Sequence, residues 1–270
     1  MAANGGLHEP FPGTAASPPN TFRHREFKIE TQKLPILKAG PIDEMTKNLG
    51  IAPPEMIFGD NYVLIEHEPT GWTIKFNAFD ALDKVDKTGQ AMLQVAHSGE
   101  WKKSREHHHE GIKEVVKPFD WSYTTDYKGT TSAEPQFQPS TTPIPLGLLR
   151  RPDPIRFFDE VMLYEDELAD NGMSMLSCKI RVMPDRLLLL VRLFMRLDGV
   201  MCRIRDTRVF VEFGTKEVIR EYTAKEEQYE ILRQKLAMTR EDVPASLRDA
   251  NKLSELVPVV EKTLERVQLP

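Results

Sequence analysis

Four runs of this chain carry residue types that could do chemistry. His107-His108-His109 stands between Glu106 and Glu110, a composition that suggests a metal ligand set. Adjacent histidines converge poorly on one ion, because zinc sites need spaced ligands oriented by outer hydrogen bonds. Glu165, Asp166, Glu167 and Asp170 precede Asn171-Gly172. They have the composition of a calcium loop without its ligand order, so a solvated hairpin end is expected. Phe58-Gly59-Asp60-Asn61 begins like a metallophosphatase ligand turn, yet no second Asp or His motif follows to hold two metals. The fourth run is Lys117-Pro118-Phe119-Asp120-Trp121-Ser122-Tyr123-Thr124-Thr125-Asp126-Tyr127-Lys128-Gly129. Its aromatics bring large apolar area with polar handles, which suits a backbone fixed for recognition. The alternative is an aromatic strand or turn that caps a core.

Other chemistries leave less trace. Neither phosphate-binding glycine loop is present, and the nucleophile elbow is absent too. A pair of carboxylates for glycoside hydrolysis has no sequence signature, so it stays open. Charges of 36 basic against 41 acidic residues give a net of −5, a poor platform for a nucleic-acid backbone. No nucleic-acid partner and no cofactor is expected. The densest apolar run, Leu187 to Leu197, is interrupted by Arg192 and Arg196, so no membrane span or membrane partner is expected. Residues 1 to 20 lack the apolar stretch of a signal peptide. Cys178 and Cys202 sit in apolar, strand-like settings, which predicts buried reduced thiols in the cytoplasm, with the nucleus as a second compartment. A disulfide between them is the alternative.

The elements that would position these groups are mostly hairpins. Residues 1–21 are too polar to offset ordering and predict a disordered arm; residues 22–270 predict one domain. Phe27 to Thr31 alternates as a strand. Pro41 and Gly50 bracket a short helix. Tyr62 to His67 and Trp72 to Asn77 flank a Glu-Pro-Thr-Gly turn and predict a hairpin. Asp80 to Val95 can hold a helix. Mobile loops are expected at 102–113 and 130–153. Asn171-Gly172 predicts a second hairpin.

Asp198-Gly199 predicts a third hairpin with a two-residue turn. Leu197, Met195 and Leu193 would then share an apolar face with Val200, Cys202 and Ile204. Arg192, Arg196, Arg203 and Arg205 would crowd the other, needing acidic partners. Thr223 to about Met238 reads as a capped helix, and Lys252 to Val267 as a helix from its apolar spacing. Hairpins with flanking helices and no βαβ repeat predict an α+β fold with a mainly antiparallel sheet.

Several runs, taken together, resemble the TOR signalling pathway regulator-like (TIPRL) family. They are Pro54 to Asn61, Phe76 to Leu82, Lys117 to Gly129, Tyr164 to Leu168, Lys179 to Pro184, Arg196 to Val200, Asp206-Thr207-Arg208 and Arg220 to Thr223. Their order covers about residues 22 to 225. The resemblance implies a non-enzymatic regulator that binds catalytic subunits of type 2A-like serine/threonine phosphatases. Scaffold or other regulatory subunits would share or compete for that subunit, and the setting would be TOR signalling. It implies a cleft holding the subunit's C-terminal tail, with Asp80, Ile144, Ile204 and Asp206 at partner-binding positions. It implies no catalytic residue and no metal site. From the residues alone, Asp80 also reads as a helix-capping or first-turn acid, and Arg208 as a partner for Asp206. The alternative function is a metal-dependent hydrolase built from scattered Asp and His.

Overall fold

The structure, a computed structural model, describes residues 17–85, 123–132, 134–168, 171–238 and 242–270. The predicted features at 1–16, 86–95 and 102–113, with the first half of the aromatic run, lie outside these residues.

The chain opens with β1 (Asn20–His24), β2 (Phe27–Gln32), α1 (Ala39–Leu49) and β3 (Met56–Ile57). β4 (Tyr62–His67), β5 (Trp72–Asn77) and α2 (Ala78–Asp83) follow, then β6 (Thr130–Thr131), β7 (Gln138–Pro139) and α3 (Leu146–Leu149). The long strands are β8 (Phe157–Asp166), β9 (Gly172–Val182), β10 (Arg186–Leu197), β11 (Met201–Glu212) and β12 (Glu217–Gln228). Last come α4 (Tyr229–Met238), α5 (Val243–Ser246), α6 (Ala250–Leu256) and β13 (Val259–Gln268).

Two antiparallel sheets result. One has the order β1-β2-β4-β5-β6, the other β3-β8-β9-β10-β11-β12-β13-β7. Their facing surfaces enclose the main core, with Phe27, Ile65, Trp72 and Phe76 from the small sheet meeting Val161, Cys178, Leu189 and Val209 from the large one. The other face of the large sheet is covered in two places. Helices α4 to α6 lie over Phe194, Cys202 and Ile204, and the 144–149 segment lies over Phe210 and Ile219. A central strand apolar on both faces is what such double coverage requires, and β10 is one. The fold is α+β on mainly antiparallel sheets, as the hairpin pattern predicts.

Local chemistry explains the elements read correctly. Pro41 lies in the first turn of α1. Gly50 closes that helix at φ +73°, its N–H donating to Thr46 O at 2.9 Å, a left-handed position that suits glycine. The predicted hairpin at 62–77 forms as β4 and β5.

Five expectations are corrected. The β10–β11 connection has three residues rather than two, because Leu197 pairs with Met201 and Val200 N–H closes the turn on Leu197 O at 3.0 Å. A one-residue slip reverses every side chain of the second arm. Arg203 and Arg205 therefore face the small sheet, while Cys202, Ile204 and Asp206 join Arg196, Phe194 and Arg192 on the outer face. Residues 223–228 continue β12, and the helix starts only at Tyr229. The predicted tail helix ends at Leu256, two residues before Pro258, and the rest becomes β13 against β12. Proline disfavours helix in the residue before it, and the edge of β12 offers that backbone partners. Finally, the expected loop at 130–153 carries β6, β7 and α3, and β1 begins at Asn20, inside the predicted arm.

Candidate partner-binding surface

The described part of the aromatic run is a strap across the inner face of the large sheet. Tyr127 is buried edge-on against Phe76, with ring centroids 5.7 Å apart. Its hydroxyl donates to Lys75 O at 2.8 Å. Its carbonyl accepts from the Thr207 hydroxyl at 3.3 Å, and the next carbonyl, of Lys128, accepts from Arg220 at 3.1 Å. The Tyr222 hydroxyl bonds Asp126. Burial pushes both tyrosine hydroxyls far above their ordinary range, so they act as neutral donors. The strap joins β5, through β6, to β11 and β12.

Asp80 sits beside this strap. Asn77 caps α2 by accepting from Asp80 N–H at 2.8 Å, and its amide donates to the Asp80 carboxylate at 2.9 Å. The Thr130 hydroxyl donates to the same carboxylate. Asp80 is thus a first-turn acid on the small-sheet side, where a carboxylate also complements the helix dipole.

The other three implied residues lie on the outer face of the large sheet. Ile204 is fully buried under Leu232, Leu236 and Leu253. Asp206, two residues along the same strand, is also fully buried. Its carboxylate receives two hydrogen bonds from Arg192, at 2.7 and 2.8 Å, and one from Arg208 at 3.0 Å. Arg208 was legible as a partner; Arg192 was not, since the expected register placed it on the opposite face. Arg192 also donates to Ala250 O, Asn251 Oδ1 and Ser254 Oγ of α6 at 2.9–3.2 Å. Nearby, the Lys225 ammonium bonds Ser254, and burial pushes its pKa down. Ile144 packs on Phe210 and Ile219, farther along the same face. The structure therefore brings Ile144, Ile204 and Asp206 to one face and leaves Asp80 in the other layer.

Next to the Arg192–Asp206 pair, a groove of about 360 Å³ opens on the outer face. Met162, Met175 and Leu190 form its floor, Glu160 and Lys179 one rim, and Ala250 and Asn251 the other. Unbranched methionines adapt to varied apolar side chains. Lys179 and Glu160 pair at 3.0 Å, with both side chains near half exposed, so this rim can rearrange. The groove is chemically fit for an extended peptide with an apolar anchor and an acidic end. Sequence inspection missed it because its residues come from three strands and a helix. The signal available was the alternation Met175, Ser177, Lys179 on an arm whose opposite residues are core.

The chemistry-bearing runs resolve differently. Asn61 is a buried bracket that accepts from Leu34 N–H at 2.6 Å and donates to Met162 O at 2.8 Å. Asp166 is buried and accepts from Glu55 and Leu168 backbone N–H groups at 2.9 and 2.7 Å. The four arginines of the third hairpin find acids on both faces, Arg203 and Arg205 at Glu226, Arg196 at Asp198, Arg192 at Asp206. Among the described residues no group of three or more His, Cys, Asp or Glu side chains could hold a metal ion. The triple histidine lies outside them.

Comparison with known proteins agrees with the resemblance seen in the runs. The TIP41-like family model matches residues 56–233. The human TIP41-like protein is 42% identical over 256 residues, covering 92% of this chain and 90% of its own. The Saccharomyces cerevisiae type 2A phosphatase activator TIP41 is 40% identical over 261 residues, covering 90% of this chain and 73% of its own. The Schizosaccharomyces pombe type 2A phosphatase activator tip41 is 33% identical over 247 residues, covering 91% of this chain and 97% of its own. This chain belongs to the TIP41-like family.

Proposed function

We propose that this protein is a regulatory partner of type 2A-like serine/threonine phosphatases, acting by binding and without chemistry of its own. The observation that carries this reading is its likeness, over about nine-tenths of the chain, to two fungal proteins named as type 2A phosphatase activators. In this reading the catalytic subunit is the direct partner. Its C-terminal tail lies in the outer-face groove, with an apolar side chain on Met162, Met175 and Leu190 and a carboxylate toward Lys179 and Asn251. Lys179 would trade Glu160 for that carboxylate, a charge-assisted exchange at a half-exposed rim. Scaffold or other regulatory subunits would share or compete for the same subunit, in TOR signalling in the cytoplasm and nucleus. Ile204 and Asp206 support the groove from below, through Arg192 and α6. Asp80 and its strap belong to a second contact on the other layer.

The test is capture of a purified type 2A catalytic subunit, with and without its last residues. The expected result is strong capture of the intact subunit, weakened by tail deletion, by Met175→Glu and by Lys179→Glu. Equal capture of both subunit forms by correctly folded variants would remove the tail from the proposal. Failure to capture any catalytic subunit, with turnover of a phosphoester by the isolated protein, would overturn the whole reading in favour of a hydrolase.

A further inference from the structure

A second cleft, of about 480 Å³, lies between α4, α5 and the β10–β11 turn. It is separate from the groove described above and shares no lining residue with it. Its wall is apolar, made by Ala237, Val243, Pro244 and Leu247. Three arginines enter it, Arg196, Arg233 and Arg248, against two acids, Asp198 and Glu230.

The arginines are not equivalent. Arg196 is fixed, donating to Asp198 at 2.7 Å and to Leu247 O at 2.6 Å. Arg233 pairs with Glu230 at 3.1 Å across a solvated turn of α4, both side chains more than half exposed. Such an exposed pair contributes little and opens readily. The Arg248 guanidinium has no ion-pair partner among the described residues, and the Tyr229 hydroxyl and Gln234 amide bond none of them. Among the described residues, the lining thus carries a formal surplus of one positive charge, in a chain whose net charge is −5.

The surface beside it is equally unusual. Leu232 and Leu236 point α4 into the core. On the solvent side of the same helix, next to Gln234, Ile231 and Met238 are 38% and 82% exposed. Helical spacing places these two on one shoulder of the cleft. Arg and Tyr beside exposed aliphatic side chains is the composition of a protein-contact surface.

We propose that the α4–α5 cleft is a second protein-docking site, which takes an acidic segment of a partner protein with an apolar anchor residue. The anchor enters the Val243, Pro244 and Leu247 wall. A neighbouring carboxylate pairs with Arg248, and a second displaces Glu230 from Arg233. The charge surplus selects an acidic segment over a basic one, and the apolar wall selects against a purely acidic tail. A regulator with two separate docking sites can hold one partner while engaging another, which raises effective concentration at the second.

The experiment uses the full chain with selectively labelled Ile, Leu, Val and Met methyl groups. The probes are three synthetic peptides, one alternating Glu with Leu and Phe, one with those apolar residues replaced by Ser, and one with Glu replaced by Lys. The first should shift Met238, Val243 and Leu247 methyl signals and leave Met162 and Met175 unchanged; the other two should not. Arg233→Glu combined with Arg248→Glu should weaken the first peptide by about tenfold or more while thermal unfolding and capture of the phosphatase catalytic subunit are retained. Loss of catalytic-subunit capture in that variant would overturn a separate site. Shifts at Met162 and Met175 instead, no shift with the first peptide, equal binding of the Ser peptide, or a response to anionic lipid vesicles in place of the peptide would each overturn the proposal.

Discussion

Arg192 on β10 and Asp206 on β11 are directly paired across the ladder, and their side chains meet in a two-point hydrogen-bonded ion pair at 2.7 and 2.8 Å. Asp206 is fully buried and the Arg192 side chain only 10% exposed. The same guanidinium holds the start and middle of α6. One ion pair therefore spans the β10–β11 ladder and seats α6 on it.

Removing one partner should be costly. Asp206→Ala leaves a buried guanidinium without its carboxylate, which costs about 3–5 kcal/mol. Urea unfolding of the variant should show a midpoint lowered accordingly, with α6 losing hydrogen-exchange protection first. Replacing both residues, as Arg192→Met with Asp206→Leu, should recover much of the loss. This double variant matters for binding experiments, because Asp206 changed alone confounds stability with recognition.

Gly129 ends the strap at φ +95°, and a Cβ there would lie 2.6 Å from Phe76 Cζ. Left-handed backbone and a crowded inner layer act together, so Gly129→Ala should destabilise by on the order of 1–3 kcal/mol. Chemical denaturation measures it, and Gly71→Ala is the control for φ alone, since that position meets no atom within 4 Å.

Burial pushes the Cys202 thiol up to about 12 and Cys178 higher still. Both should resist a disulfide-exchange reagent in the native protein at neutral pH, since the thiolate is the reactive form. Two thiols should titrate after denaturation, at native-state rates that track unfolding. Fast labelling of either thiol in the folded protein would contradict their positions.

Burial works against the charge of Asp159. The Lys33 ammonium at 2.6 Å, the Thr31 hydroxyl at 2.5 Å and the Glu160 N–H at 2.9 Å overcome it and hold the carboxyl below its ordinary value. A depressed folded value means the contribution is complete above the unfolded value near ~4. It is then lost as pH falls through the lower folded value. Asp159→Asn should therefore unfold more easily at neutral pH and show a shallower loss of stability below about pH 4. Denaturant midpoints collected across that range decide it.

The hairpins were legible because their turns announce themselves. Gly71 at φ +67° stands in the reversal between β4 and β5. The second hairpin forms as β8 and β9, but Gly172 is already the first residue of β9, opposite Leu197, so Asn171-Gly172 marks the hairpin without being its two-residue turn. The family was legible too, since its runs survive in order along most of the chain. The roles of Asn61 and Asp166 were not, because both serve backbone N–H or carbonyl groups more than a hundred residues away.

By itself the sequence determined that β10 and β11 form a hairpin, that apolar side chains fill both arms, and that Cys178 and Cys202 belong inside. Only the tertiary structure decided which face each residue of β11 occupies. β10 is apolar on both faces and so accepts either register, and the choice fell to a three-residue turn and to what covers each side. The small sheet covers one face. Helices α4 to α6 cover the other, and Asp206 finds Arg192 there. The tail shows the same physics: Leu256, Val260, Leu264 and Val267 fit a helix by spacing, but Pro258 and the waiting edge of β12 made a strand. Local pattern fixes which side chains must be buried, whereas backbone partners and the covering layer, both distant in sequence, fix where.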